Sequence, residues 1–353
     1  MEQRDIKSME LAELKEVVAG MGEKPFRGTQ MYEWMHKKLC DGFDDMTNIS
    51  GSFRQKCKEE FYFCHLETVD KLESVLDGTV KYLFELQDGN VIESVLMRYH
   101  HGNSVCISSQ VGCRMGCRFC ASTLGGLARN LTASEMLEQV YQIERLSGER
   151  VSNVVVMGTG EPLDNYDNLT RFIRMLTDEN GVNISQRNVT VSTCGLVEGI
   201  RKLAQEKFSI NLALSLHAPN DADRQKLMPI AVKYSLREIM KALDEYYRVT
   251  GRRLTFEYSL VAGVNDSPAQ AKELAALVKG KNCLINLIPV NEVKEREFKR
   301  SAQESIQNFK NILEKNRINV TIRREMGSDI NAACGQLRKS YTDRKKEQEV
   351  SRT

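Results

Sequence analysis

In "TASEMLEQVYQIERLSGERVSNVVVMG", residues 132–158, the apolar period changes from that of a helix to that of a strand. Thr132 and Glu135 stand three apart just before the apolar positions, the spacing of a capping box, so a helix is expected to start there. The same alternation recurs downstream. Strand-like runs "NVTVST" (188–193), "SINLALSLHA" (209–218), "RLTFEYSLV" (253–261), "CLINLIPV" (283–290) and "INVTIRRE" (318–325) are separated by helical stretches such as "SLREIMKALDEYYRVTG" (235–251) and "AQESIQNFKNILEKN" (302–316). Repeated strand–helix units of this length imply an α/β fold with a parallel sheet and right-handed crossovers, doubly wound or curled into a barrel. Six units and one closing strand are too few for an eight-fold barrel, so a partial (β/α)6 barrel over residues 99–337 is the expected core.

Upstream the pattern differs. Residues 1–62 read as short helices with Lys and Arg spread among them, a small accessory module suited to RNA. Residues 63–98 alternate apolar and polar around Asp77-Gly78 and Asp88-Gly89, the signature of a β-hairpin connector. Residues 338–353 form a polar, charged tail.

Composition bounds the class. With 353 residues, 41% hydrophobic and 28% charged, the chain can bury a full core and is neither disordered nor collagenous. No apolar run approaches the roughly 18–20 residues that span a bilayer, and "MEQRDIKSMELAELKEV" carries charge where a signal peptide would be apolar, which places the protein in the cytoplasm, off the membrane. Ten cysteines in that reducing compartment point to metal, redox chemistry or small core residues rather than staples. The net charge of +2 permits nucleic acid as a partner without demanding it.

The unusual residues fall beyond the C-terminal ends of the expected strands, where parallel sheets and barrels place their sites. "SSQVGCRMGCRFCAST" (108–123) follows the first strand, "GTGEP" (158–162) the second, "STCG" (192–195) the third and "SLH" (215–217) the fourth. "PVN" (289–291) and "DINAACGQL" (329–337) follow the sixth and the last. All would face one mouth. Cys113, Cys117 and Cys120 form a C-x3-C-x2-C array in a loop rich in glycine and polar residues. Three thiolates suit a four-iron cluster with one iron left open. Structural zinc, with His100 or His101 as fourth ligand, and three unrelated core cysteines are the alternatives.

The array, with its aromatic residue before the last cysteine, resembles the signature of radical S-adenosylmethionine (SAM) enzymes. "CISSQVGCRMGCRFCASTLGGLARNL", "VMGTGEPLDN", "LSLHAPND", "INLIPVN" and "DINAACGQL" are similar to the RlmN-type adenine-C2 methyltransferases, whose sister group is Cfr. The resemblance covers about residues 93–337. It implies a [4Fe-4S] cluster on Cys113, Cys117 and Cys120, and SAM held at its open iron and cleaved by one electron to a 5'-deoxyadenosyl radical. It implies SAM contacts at Gly160, Glu161, Ser192, Ser215, Leu216, His217 and Asn291. It assigns Cys334 as the cysteine that carries the methyl group, Cys106 as the thiol that resolves the protein–RNA adduct through a transient disulfide with Cys334, and Glu93 as proton acceptor.

Adenine C2 is an aromatic carbon without nucleophilic character, which explains a detour through a thiolate. The implied activity is methylation of adenine C2 in 23S rRNA and in tRNA, at the adenosine beside the anticodon, with two SAM per turnover, an external single-electron reductant and a monomeric enzyme. Arg27, Lys37, Lys38, Arg54, Lys56 and Lys58 are candidates to grip RNA phosphates. A Cfr-like C8 methyltransferase and a zinc-bound RNA-binding module without catalysis are the competing functions.

Overall fold

The computed structural model describes residues 3–291, 296–330 and 332. Three helices open the chain: α1 (Leu11–Gly20), α2 (Phe26–His36) and α3 (Gly51–Glu60). A single ten-stranded sheet follows. Its strands are β1 (Glu67–Glu73), β2 (Val80–Glu85), β3 (Val91–Tyr99), β4 (Gly102–Ile107), β5 (Val151–Val156), β6 (Val189–Thr193), β7 (Asn211–Ser215), β8 (Leu254–Leu260), β9 (Cys283–Pro289) and β10 (Asn319–Ile322). Neighbours in the sheet are neighbours in the chain throughout. β1 to β4 pair antiparallel, and β4 to β10 pair parallel, with a helical crossover between each successive parallel pair. The edges β1 and β10 do not meet in the sheet order, so the barrel is partial, with six strand–helix units and a closing strand as expected.

The helix after β4, α4 (Ala133–Ser147), begins with the capping box read from the sequence: Thr132 Oγ1 accepts from Glu135 N at 3.2 Å, and Glu135 Oε2 accepts from Thr132 N at 2.9 Å. Gly148 closes it in the left-handed region, φ 67°.

The two faces of the parallel strands divide the chemistry, because side chains alternate along a strand. Val105, Ile107, Val191, Leu212, Leu214, Phe256, Tyr258, Ile285 and Leu287 face the helices and build the main core. Fully burying each such side chain contributes about 1.5–3 kcal/mol. The concave face instead carries Cys106, Ser192, Ser215, Glu257, Ser259 and Asn286 between those positions. A sheet of these residues would be poor core; it is suited to line a site.

Two tertiary links tie the outer segments to this sheet. Lys7, just before α1, is buried and forms an ion pair with Glu138 of α4, which is also buried and accepts from Arg145 Nη2 at 2.7 Å. The β1–β2 turn clamps the segment after β10. Asp77 Oδ2 accepts from Gly327 N at 2.9 Å, and Asp329 accepts from Ser74 Oγ at 2.6 Å and from Val75 N at 3.0 Å. Among the described residues no helix is long and apolar enough to cross a membrane.

Candidate active site

A cavity opens beyond the C-terminal ends of the parallel strands. Cys113, Cys117, Cys120, Gly160, Glu161, Ser192, Ser215, His217 and Asn291 all line it. Their sequence separations are large, and only the crossovers bring them to one mouth.

The thiols sit on a loop held by its own backbone. Cys113 N donates to Gly126 O at 2.9 Å, Cys120 N to Cys117 O at 3.1 Å, and Thr123 Oγ1 to the carbonyls of Cys117 and Cys120 at 3.1 and 3.0 Å. Arg118 N reaches Leu227 O at 2.9 Å, anchoring the loop to the short helix Asp221–Leu227. Burial pushes the Cys113 thiol up to about 12, and it raises Cys117 as well, so metal must displace protons when it binds. Among the described residues no three His, Cys, Asp or Glu side chains are gathered as ligands of a single ion. A cluster asks for no such convergence, since each thiolate binds a different iron. The zinc alternative loses its fourth ligand: His100 and His101 lie at the N-terminal end of β4, and the cysteine loop follows its C-terminal end, about 20 Å of strand away.

The second loop packs so closely on the end of β4 that two of its positions have no room for a Cβ. Gly160 has φ 113°, and a Cβ there would stand 2.7 Å from both Gln110 Cβ and Ser109 Oγ. A Cβ at Gly158 would meet the Ile107 carbonyl oxygen at 2.7 Å. Glu161 is buried; its burial raises the carboxyl's pKa, opposed by the hydrogen bond it accepts from Cys194 N at 2.7 Å. Ser192 and Ser215 touch through their hydroxyls at 3.2 Å.

His217 takes the left-handed region, φ 56°, and its ring meets Phe119 edge-on at 4.8 Å between centroids. Burial first, then the Arg224 charge, lowers its pKa to about 3, so the imidazole is neutral. Because Nδ1 accepts from Ser259 N at 2.9 Å, the proton is assigned to Nε2. Leu216 points the other way, fully buried in the main core.

Cys106 lines a small adjoining cavity with Val95, Met97, Met326 and Ala332, and Ile288, Asn291 and Arg323 belong to both cavities. Glu93 is buried on β3 and shares the concave face with Val95, the residue paired directly with Cys106. Ser108 Oγ donates to the Glu93 carbonyl at 2.9 Å, which places Glu93 at the mouth end of β4. Among the described residues no disulfide is present. Cys334 lies outside the described residues.

Two relatives and one solved structure align along nearly the whole chain. A probable dual-specificity RNA methyltransferase RlmN of Lachnoclostridium phytofermentans is 66% identical over 99% of this chain and 98% of its own length. The chain belongs to the RlmN family of radical SAM RNA methyltransferases. The RlmN protein of Clostridium novyi is 54% identical over 96% of this chain and 98% of its own. A radical SAM methyltransferase from Sphaerobacter thermophilus, solved by crystallography, superposes with a TM-score of 0.91 at 43% identity, covering 95% of this chain and 99% of that one. Within the family, residues 4–63 match the model for the ribosomal RNA large subunit methyltransferase N-terminal domain, and residues 107–275 match the radical SAM superfamily.

Three residues in and around the cavity were not singled out from the sequence. Gln110 bridges the loops, donating to Asp164 at 3.1 Å and accepting from Glu161 N at 2.8 Å. Glu257, the acid inside "RLTFEYSLV", lines the cavity with Oε1 bound by Asn286 Nδ2 at 2.9 Å. A charged residue on an apolar strand was the available signal. Arg224 gives no such signal, since in "NDADRQKLMPI" it looks like a solvated helix charge, yet it is 0% exposed.

The six basic candidates of the N-terminal module divide. Arg27 and Arg54 donate to the carbonyls of Asn48 and Asp44, Lys58 pairs with Asp44, and Lys38 lies 3.8 Å over the Trp34 ring. Lys37 and Lys56 are exposed.

Proposed function

We propose that this RNA methyltransferase adds methyl to C2 of adenine, in 23S rRNA and in the tRNA adenosine beside the anticodon, through a methyl-cysteine at Cys334. The observation that supports this most is the adjacency of two chambers, one lined by the three thiols and the loop of Gly158 and Gly160, the other by Cys106, with Asn291 and Arg323 in both. The dual specificity in the names of the relatives supports two RNA substrates.

The donor set fits a [4Fe-4S] cluster on Cys113, Cys117 and Cys120, and Gly160, Glu161, Ser192, Ser215, Leu216, His217 and Asn291 are the proposed SAM contacts, Leu216 through its backbone. A cluster held there would supply one-electron reduction of SAM, drawing on an external single-electron reductant. The remaining roles belong to the chain's own groups. Cys334 would accept a methyl group by displacement as a thiolate, Glu93 would take the C2 proton as general base, and Cys106 would attack the Cys334 sulfur to free the base. Ala332, two positions before Cys334 in the sequence, packs in the same apolar cluster as Cys106.

Digestion of RNA methylated in vitro, chromatographed against 2-methyladenosine and 8-methyladenosine, tests the reading. The expected product is 2-methyladenosine; 8-methyladenosine would move the chain to a Cfr-like reaction on the same scaffold.

A further inference from the structure

Arg224 is a buried cation with no carboxylate partner. Its guanidinium is fully enclosed, and its three bonds go to neutral carbonyls: Nε to Leu216 O at 3.1 Å, and Nη2 to Cys194 O at 2.5 Å and Ser215 O at 3.2 Å. Nη1 has no hydrogen-bond partner, and no ion pair forms among the described residues. An uncompensated buried charge costs several kcal/mol, so a protein that keeps one normally supplies the opposite charge nearby. The helix that carries Arg224 is bonded to the cysteine loop, Leu227 O accepting from Arg118 N at 2.9 Å beside Cys117, and two of the residues whose carbonyls hold the guanidinium, Cys194 and Ser215, line the same cavity as the three thiols. Arg114 and Arg118 also stand on the cysteine loop, but both are exposed and screened by water.

We infer that Arg224 is the internal counter-ion of the cluster, a fixed positive charge that completes its electrostatics and favours its reduced form. The inference rests on the cluster of the proposed function. Three thiolates on an oxidised four-iron cluster make a singly negative unit, and the electron taken from the external one-electron reductant makes it doubly negative. A cation in a low-dielectric wall stabilises the second state more than the first, and net charge around a cluster is one of the levers that set its potential. Arg224 is thus a tuning residue that acts through the cluster and not a catalytic group.

The test uses the reconstituted full-length protein under anaerobic conditions. Redox titration followed by electron paramagnetic resonance should show R224Q reduced at a more negative potential, with its reduction equilibrium weakened about tenfold, or about 59 mV for one electron. R224K, which keeps charge and loses the carbonyl fork, should stay near the wild-type potential. Thermal melts separate charge balance from strand-end bonding: R224Q should lose more stability in the cluster-loaded protein than in the metal-free protein. An R224Q cluster at the wild-type potential overturns the inference. So does loss of the cluster in both variants with equal loss of stability in loaded and metal-free protein. Wild-type protein that takes up no four-iron cluster would sink the functional reading instead.

Discussion

Lys7 and Arg224 are both buried cations, and their surroundings differ. Lys7 is sealed at the junction of the N-terminal module and α4, where Glu138 answers its charge and Arg145 closes the pair from the other side. Arg224 is equally sealed at the mouth of the sheet and has only carbonyls. The first site is complete within the chain. The second has no carboxylate bonded to it among the described residues, and on the inference above a bound cluster would complete it.

The largest test removes the ligands proposed for that cluster. Cys117→Ala should abolish both iron uptake and SAM cleavage, measured by iron and sulfide analysis and by deoxyadenosine release. A variant that retains the chromophore and cleaves SAM would detach the mouth from cluster chemistry. Next in size, Lys7→Met leaves Glu138 buried without its nearest cation, and breaking such a pair costs about 3–5 kcal/mol. Urea denaturation should show that loss to be the same with and without the cluster. A loss that depends on the cluster would erase the contrast between the two sites.

Gly160→Ala should follow, at about 1–3 kcal/mol from overpacking, because its Cβ would overlap Gln110 and Ser109 and its φ of 113° suits glycine. SAM affinity, read by equilibrium dialysis, should fall with it. The smallest effect is a pH slope at the junction. Burial, and then the Lys7 charge, hold the His36 pKa well below 6.5. The unfolded chain therefore gains a proton below pH 6.5 that the folded chain refuses, and stability falls on acidification by up to about 1.4 kcal/mol per pH unit. His36→Gln should flatten that acid limb in melts recorded from pH 7 downward.

What the sequence disclosed follows from locality. Strand–helix alternation, the Thr132/Glu135 box and the turns at Gly78 and Gly89 are encoded within a few residues, and each appears as expected. The shared mouth was legible too, because in a parallel sheet every strand end points the same way. Sheet membership of β1–β3 was not, since pairing with β4 is a distant contact that alternation does not specify. Lys7 and Arg224 were hidden for a related reason: nothing within a few residues tells either charged side chain whether tertiary packing will bury it. Cys334, the sharpest expectation, lies outside the described residues and rests on motif likeness.

The clamp between the β1–β2 turn and the segment after β10 has a consequence for how a distant change would spread. Asp77 and Asp329 fix residues 327–330, and Ala332 is seated beside Cys106 in one apolar cluster. One wall of the Cys106 chamber is therefore held in place by a hairpin turn remote in sequence, and a substitution at Asp77 would loosen that wall without altering any residue that lines it.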